Sequence, residues 1–286
     1  MISIEQTRFY QKNGYLIVND LFDSAAVERA TLAIDQVIHT ESSGKTFEVE
    51  PKDASVVRRI WSPTQKHEVF RQMAAAPELL DHLEALLGRN VLFHYSKLNM
   101  KGPKVGSVVE WHQDFSYYPH TNSDLLSALI FLDDADQENG CLRVVPGSHR
   151  DGLRSHEIDG FFRGKASDVD EAKAVHAEVK AGGVLFLHCL TLHASAINKS
   201  NRQRRTFLPA YRAADAFPIY FGPHAAHNEE SVQLLRGEKS KHARVEAGMH
   251  LLPLAEREFG SLYELQEGSH LKKDLTSMNV TGYAVA

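Results

Sequence analysis

The residues with the clearest chemical potential in this sequence are His112 and Asp114, which are separated only by Gln113. In an extended strand, side chains two positions apart point to the same side, so the imidazole and the carboxylate can both face one cavity. Two histidines and one carboxylate form the ligand set that holds Fe(II) on one face and leaves the opposite face open for co-substrates. The third ligand must come from another strand. His193, which directly follows the mainly apolar stretch 184–192, is the best placed candidate.

A His-x-Asp pattern is weak by itself, because the chain contains 16 histidines and chance can produce such a match. His94 and His188 also lie in apolar stretches and stay open as alternative ligands to His193. For any one of these histidines, a hydrogen-bonded position in the core is the simpler interpretation.

A candidate carboxylate clamp strengthens the metal hypothesis. Arg204 lies eleven residues after His193, and Thr206 follows it on what is predicted to be the next strand. An arginine near such a metal site can form a bidentate pair with the far carboxylate of a keto-diacid. Without the metal pattern, the basic residues 202–205 would be interpreted as a solvated turn.

Length and composition indicate an ordinary folded domain. With 286 residues and a net charge of -5, the chain can form one large β structure and gives no electrostatic argument for a nucleic-acid or membrane partner. Its two cysteines, Cys141 and Cys189, are too few for a disulfide framework and suit a reducing compartment. The N-terminus lacks the regions of a signal peptide, and no apolar stretch reaches membrane-spanning length. We therefore expect a cytoplasmic protein.

The first 90 residues are expected to form a helical layer that supports a sheet. A short strand is predicted at 15–18, after an Asn-Gly turn. Asp23 is predicted to cap a helix with an apolar face, and a second helix is predicted to begin at Pro77 and to end at Gly88.

From Val91 onward the sequence changes to short apolar stretches separated by turn residues. Several strands at this spacing predict a sandwich or a closed jelly roll rather than a parallel βαβ sheet. The predicted strands are 91–100, 107–112, 126–133, 141–146, 184–190, 193–197 and 206–213.

A polar and charged insert at 151–181 interrupts these strands, and a connection of this length is expected to be a lid or to be partly disordered. We expect a single domain over 1–286, in which 1–90 is the helical support layer. The jelly-roll core with its insert covers 91–215, and 216–286 forms a C-terminal extension.

Four stretches carry a family resemblance: 9–18, 111–115, 139–149 and 193–204. Together they resemble the phytanoyl-CoA dioxygenase family of Fe(II)- and 2-oxoglutarate-dependent oxygenases, over about residues 5 to 215 of the chain. The Asn-Gly-Cys-Leu and Pro-Gly-Ser-His strings within 139–149 are far more specific than a three-residue metal pattern.

The resemblance implies a double-stranded β-helix, which is a cupin-like jelly roll with flanking helices, and a metal bound to His112, Asp114 and His193. It also implies 2-oxoglutarate and O2 as co-substrates, with the far carboxylate of 2-oxoglutarate on Arg204. No catalytic residue beyond the metal ligands is expected. The expected 2-oxoglutarate-binding residues are Arg204, Thr206, Lys97, Asn99 and Ser195.

Three aromatic residues, Phe115, Tyr117 and Tyr118, directly follow the metal pattern and are expected to line the substrate entrance. Ordinary packing at the rim is an equally good interpretation of these rings. Arg58, Arg59 and Trp61 lie in the predicted helical half. They could reach the pocket, but a surface or core-edge role is the preferred interpretation of each.

The sequence therefore predicts a dioxygenase that hydroxylates or otherwise oxidises an aliphatic C–H bond of a small metabolite or a natural-product intermediate. Related halogenases replace the metal-binding carboxylate with a small residue, so Asp114 favours oxygenation. Two alternatives stay open: a metal-binding cupin-type protein with hydrolase or isomerase activity, and a ligand-binding protein without catalysis. Neither alternative needs the clamp of Arg204 and Thr206. The sequence does not indicate an oligomeric state.

Overall fold

The structure is a computed structural model, and it describes residues 2–40, 47–50, 53–220, 232–248, 252–255 and 265–266. In this part of the chain, no helix is both long and apolar enough to cross a membrane. The helices are α1 (Ile4–Asn13), α2 (Ser24–Thr40), α3 (Pro63–Lys66), α4 (Glu68–Ala74) and α5 (Pro77–Leu87).

The two helices predicted from end signals are confirmed. Asp23 caps α2, because its Oδ1 accepts a hydrogen bond of 2.7 Å from the backbone N–H of Ala26. Helix α5 begins at Pro77 and ends before Gly88, as the sequence predicts. Both helices bury an apolar stripe against the sheet described next, with Ala30 and Ile34 on α2 and Leu79 and Leu83 on α5 among the core residues.

Fourteen strands are present in the described residues. They are β1 (Tyr15–Val18), β2 (Phe47–Glu50), β3 (Asp53–Trp61), β4 (Val91–Lys101), β5 (Val109–His112), β6 (Leu125–Phe131), β7 (Leu142–Val144), β8 (Glu157–Ile158), β9 (Phe161–Phe162), β10 (Val175–Ala177), β11 (Val184–His188), β12 (His193–Ser195), β13 (Arg204–Ala213) and β14 (Gln233–Arg236). All seven strands predicted from residue 91 onward are confirmed, with shifts of a few residues at their ends.

Eight strands form the main antiparallel sheet in the order β1, β11, β6, β13, β4, β3, β2, with β14 also paired to β4. A four-stranded antiparallel sheet has the order β10, β7, β12, β5. Alternate residues of the main sheet serve two cores, as the period of a strand requires. Ile130 and Phe186 pack against the helices, whereas Leu129 and Leu185 share a core with Val144 of the smaller sheet. This double-sheet arrangement is the expected jelly roll.

The first 90 residues contain more sheet than predicted. Strands β2 and β3 extend the main sheet beside β4, in a region expected to be a helical layer. Residues 151–181 are folded: strands β8 and β9 form a short hairpin, and β10 is the edge strand of the smaller sheet. The division of the chain into support layer, core, insert and extension stays a prediction.

Candidate metal centre

The side chains of His112, Asp114 and His193 converge in the structure. The two histidines are direct cross-strand partners on β5 and β12, and their ring centroids lie 4.0 Å apart. The Oδ1 atom of Asp114 lies 3.6 Å from Nε2 of His112 and 3.8 Å from Nε2 of His193. Each residue offers a ligand atom within 4.8 Å of the others. Among the described residues, no other group of three such side chains could hold a metal ion.

The backbone around the His-x-Asp pattern differs from the single strand assumed in the sequence analysis. Strand β5 ends at His112, and Asp114 begins a short 3-10 turn. Gln113 between them stays extended, with φ -119° and ψ 128°, so the imidazole and the carboxylate still reach the same site. The amide of Gln113 is buried and points to other loops.

Backbone carbonyls fix the tautomers of both imidazoles. The Nδ1–H of His112 donates to the carbonyl of Glu110 at 2.8 Å, and the Nδ1–H of His193 donates to that of Thr191 at 2.9 Å. A carbonyl can only accept, so each ring carries a proton on Nδ1, and in its neutral form each ring has its lone pair on Nε2. That tautomer, with Nδ1 bonded to a carbonyl on the far side from the site, is the form of histidine that binds a metal ion through Nε2.

The carboxylate of Asp114 is oriented by a donor from the main sheet. Ser127 on β6 donates a hydrogen bond of 3.1 Å to its Oδ2, which leaves Oδ1 directed at the two histidines. Burial acts to raise the pKa of Asp114, but the contacts with His112 and His193 outweigh it and hold the pKa well below its usual range. Burial lowers the pKa of His193 to about 3. At neutral pH, Asp114 is therefore an anion and His193 is neutral.

A cavity adjoins the three side chains, and all five residues expected to bind 2-oxoglutarate line it: Arg204, Thr206, Lys97, Asn99 and Ser195. The register between β13 and β4 explains this, because Thr206 lies opposite Asn99 and Arg204 lies opposite Lys101. Arg204 is only 3% exposed, and its Nη1 donates to Oγ1 of Thr206 at 3.4 Å. Burial lowers the pKa of Lys97 to about 8, although Asp114 acts to raise it.

Arg58 and Arg59 are buried and line the same cavity, so the preferred interpretation as surface or core-edge residues is wrong and the alternative position at the pocket is the one found. Both lie on β3, and Glu48 on β2 accepts from Arg58 at 3.5 Å and from Arg59 at 3.3 Å. Arg59 also donates from Nε to Oδ1 of Asn99 at 2.9 Å. The sequence did contain a signal for strand β3, because the β-branched residues Val56 and Val57 precede these arginines and Ile60 follows them.

Phe115 and Tyr118, two of the three aromatic residues expected at the substrate entrance, do not line this cavity. Both are buried in an apolar cluster with Tyr95 and Leu125, because the 3-10 turn at Asp114 directs the following residues into the core. The entrance role of the three rings stays a prediction. Tyr117 packs against the same cluster and also does not line the cavity. Its ring lies edge-on to the imidazole of His112, with the centroids 5.8 Å apart.

The two alternative histidine ligands lie elsewhere. His188 packs beside His149, with their ring centroids 5.1 Å apart, and His94 packs among Tyr118, His120 and Tyr95. Neither belongs to the group that could hold a metal ion. The structure thus favours His193 as the third ligand.

A jelly roll that carries two histidines and one carboxylate, with an open side toward a cavity, is the arrangement of non-haem iron oxygenases. Sequence comparison gives the family: the chain belongs to the phytanoyl-CoA dioxygenase family, whose sequence profile matches residues 10–206.

Individual relatives are consistent with this family. The chain is 33% identical to a probable alpha-ketoglutarate-dependent hypophosphite dioxygenase of Stutzerimonas stutzeri, over 75% of this chain and 80% of the relative. The fold is similar to that of EctD from S. alaskensis with bound Fe, with a TM-score of 0.67, 25% identity and coverage of 86% and 88%. It is also similar to the non-heme alpha ketoglutarate dependent carbocyclase SnoK from nogalamycin biosynthesis, with a TM-score of 0.66, 26% identity and coverage of 82% and 96%.

Proposed function

We propose that this protein is an Fe(II)- and 2-oxoglutarate-dependent dioxygenase that oxidises an aliphatic C–H bond of a small molecule. The observation that carries the proposal is the convergence of His112, Asp114 and His193 beside a cavity that also contains the buried guanidinium of Arg204. Relatives that use alpha-ketoglutarate support it, but they differ in substrate and in outcome.

The donor set fits Fe(II). Nε2 of His112, Nε2 of His193 and Oδ1 of Asp114 would hold the ion, because both imidazoles present a lone pair and the carboxylate is ionised. When bound, Fe(II) with 2-oxoglutarate and O2 supplies the oxidising power, and succinate and CO2 are released. The protein fixes the ligand geometry and limits access of water to the buried site.

The cavity fits 2-oxoglutarate. In this proposal, Arg204 pairs with the far carboxylate of the co-substrate, and the hydroxyl of Thr206 adds a hydrogen bond. Lys97 and Asn99 on β4 and Ser195 on β12 line the same cavity and supply further polar groups. The aliphatic side chains of Leu129 and Leu208 line the same cavity and suit the methylene groups of the diacid.

We also propose that the protein is located in the cytoplasm. Cys141 and Cys189 are both free and buried, which suits a reducing compartment. The substrate is proposed to be a small molecule, either a metabolite or a natural-product intermediate.

The proposal is tested by binding of 2-oxoglutarate to the anaerobic Fe(II) protein, followed through the visible charge-transfer band or by calorimetry. Arg204→Ala removes a buried guanidinium, and hydrogen bonds to charged groups contribute about 1.5–3 kcal/mol each, so the Kd for 2-oxoglutarate should rise at least about 100-fold. Arg202→Ala is the matched control, because Arg202 is exposed and pairs with Asp136 at 2.6 Å. Tight metal binding without any binding of 2-oxoglutarate would contradict the proposal and favour a hydrolase, an isomerase or a non-catalytic protein.

A further inference from the structure

Three separate segments of the chain meet at the hydroxyl group of Tyr117. Tyr117 follows the metal pattern, Gly164 belongs to the segment 151–181, and Gln266 belongs to the C-terminal extension. The hydroxyl of Tyr117 donates to the carbonyl of Gly164 at 2.6 Å. Nε2 of Gln266 donates to the same carbonyl at 2.9 Å and to the oxygen of Tyr117 at 3.3 Å. Gln266 is only 3% exposed, so its amide is buried at this junction.

The same glutamine contacts both residues that support the imidazole of His112. The carbonyl of Glu110 accepts from Nδ1–H of His112, and the ring of Tyr117 lies edge-on against it. Gln266 contacts Glu110 at its backbone N–H, which donates to Oε1 at 3.5 Å, rather than at the carbonyl that holds His112. It contacts Tyr117 at the hydroxyl group. One buried amide thus joins the C-terminal extension to the surroundings of a single candidate metal ligand.

Only an amide of this orientation fits the junction. The carbonyl of Gly164 can only accept, and the single proton of the Tyr117 hydroxyl is already donated to it. The bridging group at Gln266 must therefore supply two protons toward Gly164 and Tyr117 and a lone pair toward Glu110. A glutamate has the same shape but would place an acceptor against the carbonyl oxygen of Gly164.

The glycine at 164 is required by the close approach of Tyr117. A Cβ atom there would lie 2.4 Å from the Tyr117 oxygen, and the φ of Gly164 is +61°. Gly160 in the same segment also has a left-handed φ, of +81°, but a Cβ atom would meet nothing within 4 Å. The two glycines thus share the backbone cost of substitution and differ only in the contact with Tyr117.

We propose that Gln266 is a positioning residue for the metal ligand His112, through Tyr117, Gly164 and the backbone of Glu110. The inference rests on the proposed function, because it concerns the metal ion of that site. According to this inference, a residue of the C-terminal extension affects metal affinity, although it is distant in sequence from His112 and Asp114.

The test is titration of the metal-free protein with Co(II), which reports affinity and, through its visible bands, ligand geometry without requiring turnover. Residues that hold metal ligands from outside typically change metal affinity 10- to 100-fold when replaced. We expect Gln266→Glu to raise the Kd for Co(II) about tenfold and to shift the visible bands. Gln233→Glu on β14 makes the same change at an exposed position and should leave both unchanged.

A second pair of variants separates positioning from general destabilisation. Gly164→Ala should weaken Co(II) binding about as much as Gln266→Glu, whereas Gly160→Ala should not. If Gln266→Glu does not fold, Tyr117→Phe decides, because it keeps the ring and removes only the bridging hydroxyl. Unchanged Co(II) affinity and bands in the folded Gln266, Gly164 and Tyr117 variants would overturn the inference. Failure of the unmodified protein to bind metal would instead overturn the proposed function.

Discussion

Gln113, between the candidate ligands His112 and Asp114, is a sensitive point for stability. Its Nε2 donates to the carbonyls of Gly152 at 2.8 Å and Leu190 at 2.7 Å, and its Oε1 accepts from the N–H of Arg154 at 2.8 Å. The side chain is fully buried. Its amide therefore joins the start of the segment 151–181 and the loop before His193 to the peptide that carries the other two ligands.

Gln113→Ala removes all three hydrogen bonds and leaves a cavity. At about 0.5–1.5 kcal/mol for each bond, and with a cavity contribution in addition, we expect a loss of about 3–5 kcal/mol in the free energy of unfolding. Gln137→Ala is the matched control. Gln137 is exposed and makes one hydrogen bond, of 3.0 Å to Glu178, so its replacement should change the free energy by less than about 0.5 kcal/mol.

The measurement is urea unfolding of the metal-free protein, so that metal binding does not contribute to the difference between variants. The slope of the transition should stay constant if only the folded state is affected. A loss below about 1 kcal/mol for Gln113→Ala would refute the reasoning, because it would mean that the three buried bonds are replaced by water at no cost.

Two further predictions concern the metal site and the response to acid. Ser127→Ala removes the hydrogen bond to Oδ2 of Asp114, and direct titration should show metal affinity about tenfold weaker, whereas equal affinity would contradict that role. Burial lowers the pKa of His120 and His156 to about 4 and that of His188 to about 3, from an ordinary value of 6.5. The unfolded chain therefore binds more protons below pH 6.5, and stability should fall by about 1.4 kcal/mol per pH unit for each histidine between pH 6.5 and 4. Urea unfolding across this range checks the slope, and a flat profile would contradict it.

Local signals in the sequence predicted the elements that depend on local physics. The carboxylate of Asp23 and the ring of Pro77 act within the first turn of α2 and α5, and the predicted start of each helix is correct. Strands β2 and β3 were missed, because charged residues such as Arg58 and Arg59 are rarely buried. Their burial depends on Glu48, which lies on a different strand and is brought beside them only by the folded sheet.

The candidate site divides in the same way. The pair His112 and Asp114 could be read from spacing, but its partner His193 could not, because the choice depends on the cross-strand register of β5 and β12. The family resemblance supplied that choice. The roles of Gln113 and Gln266 could not be predicted from the sequence. Each side chain donates hydrogen bonds to carbonyls of distant loops, and no periodic pattern in the sequence indicates such contacts.

The histidines show why a metal site is hard to recognise from local structure alone. His112, His193, His120 and His156 each have Nδ1 at 2.7–2.9 Å from the carbonyl oxygen two residues earlier. The same local bond therefore fixes the tautomer in both candidate ligands and both other histidines. The group that faces Nε2 distinguishes the candidate ligands from His156. It is Asp114 for His112 and His193, and the backbone N–H of residue 113, at 2.9 Å, for His156. The two candidate metal ligands are therefore separated from His156 by the folded arrangement, which places a carboxylate rather than a donor in front of the second nitrogen.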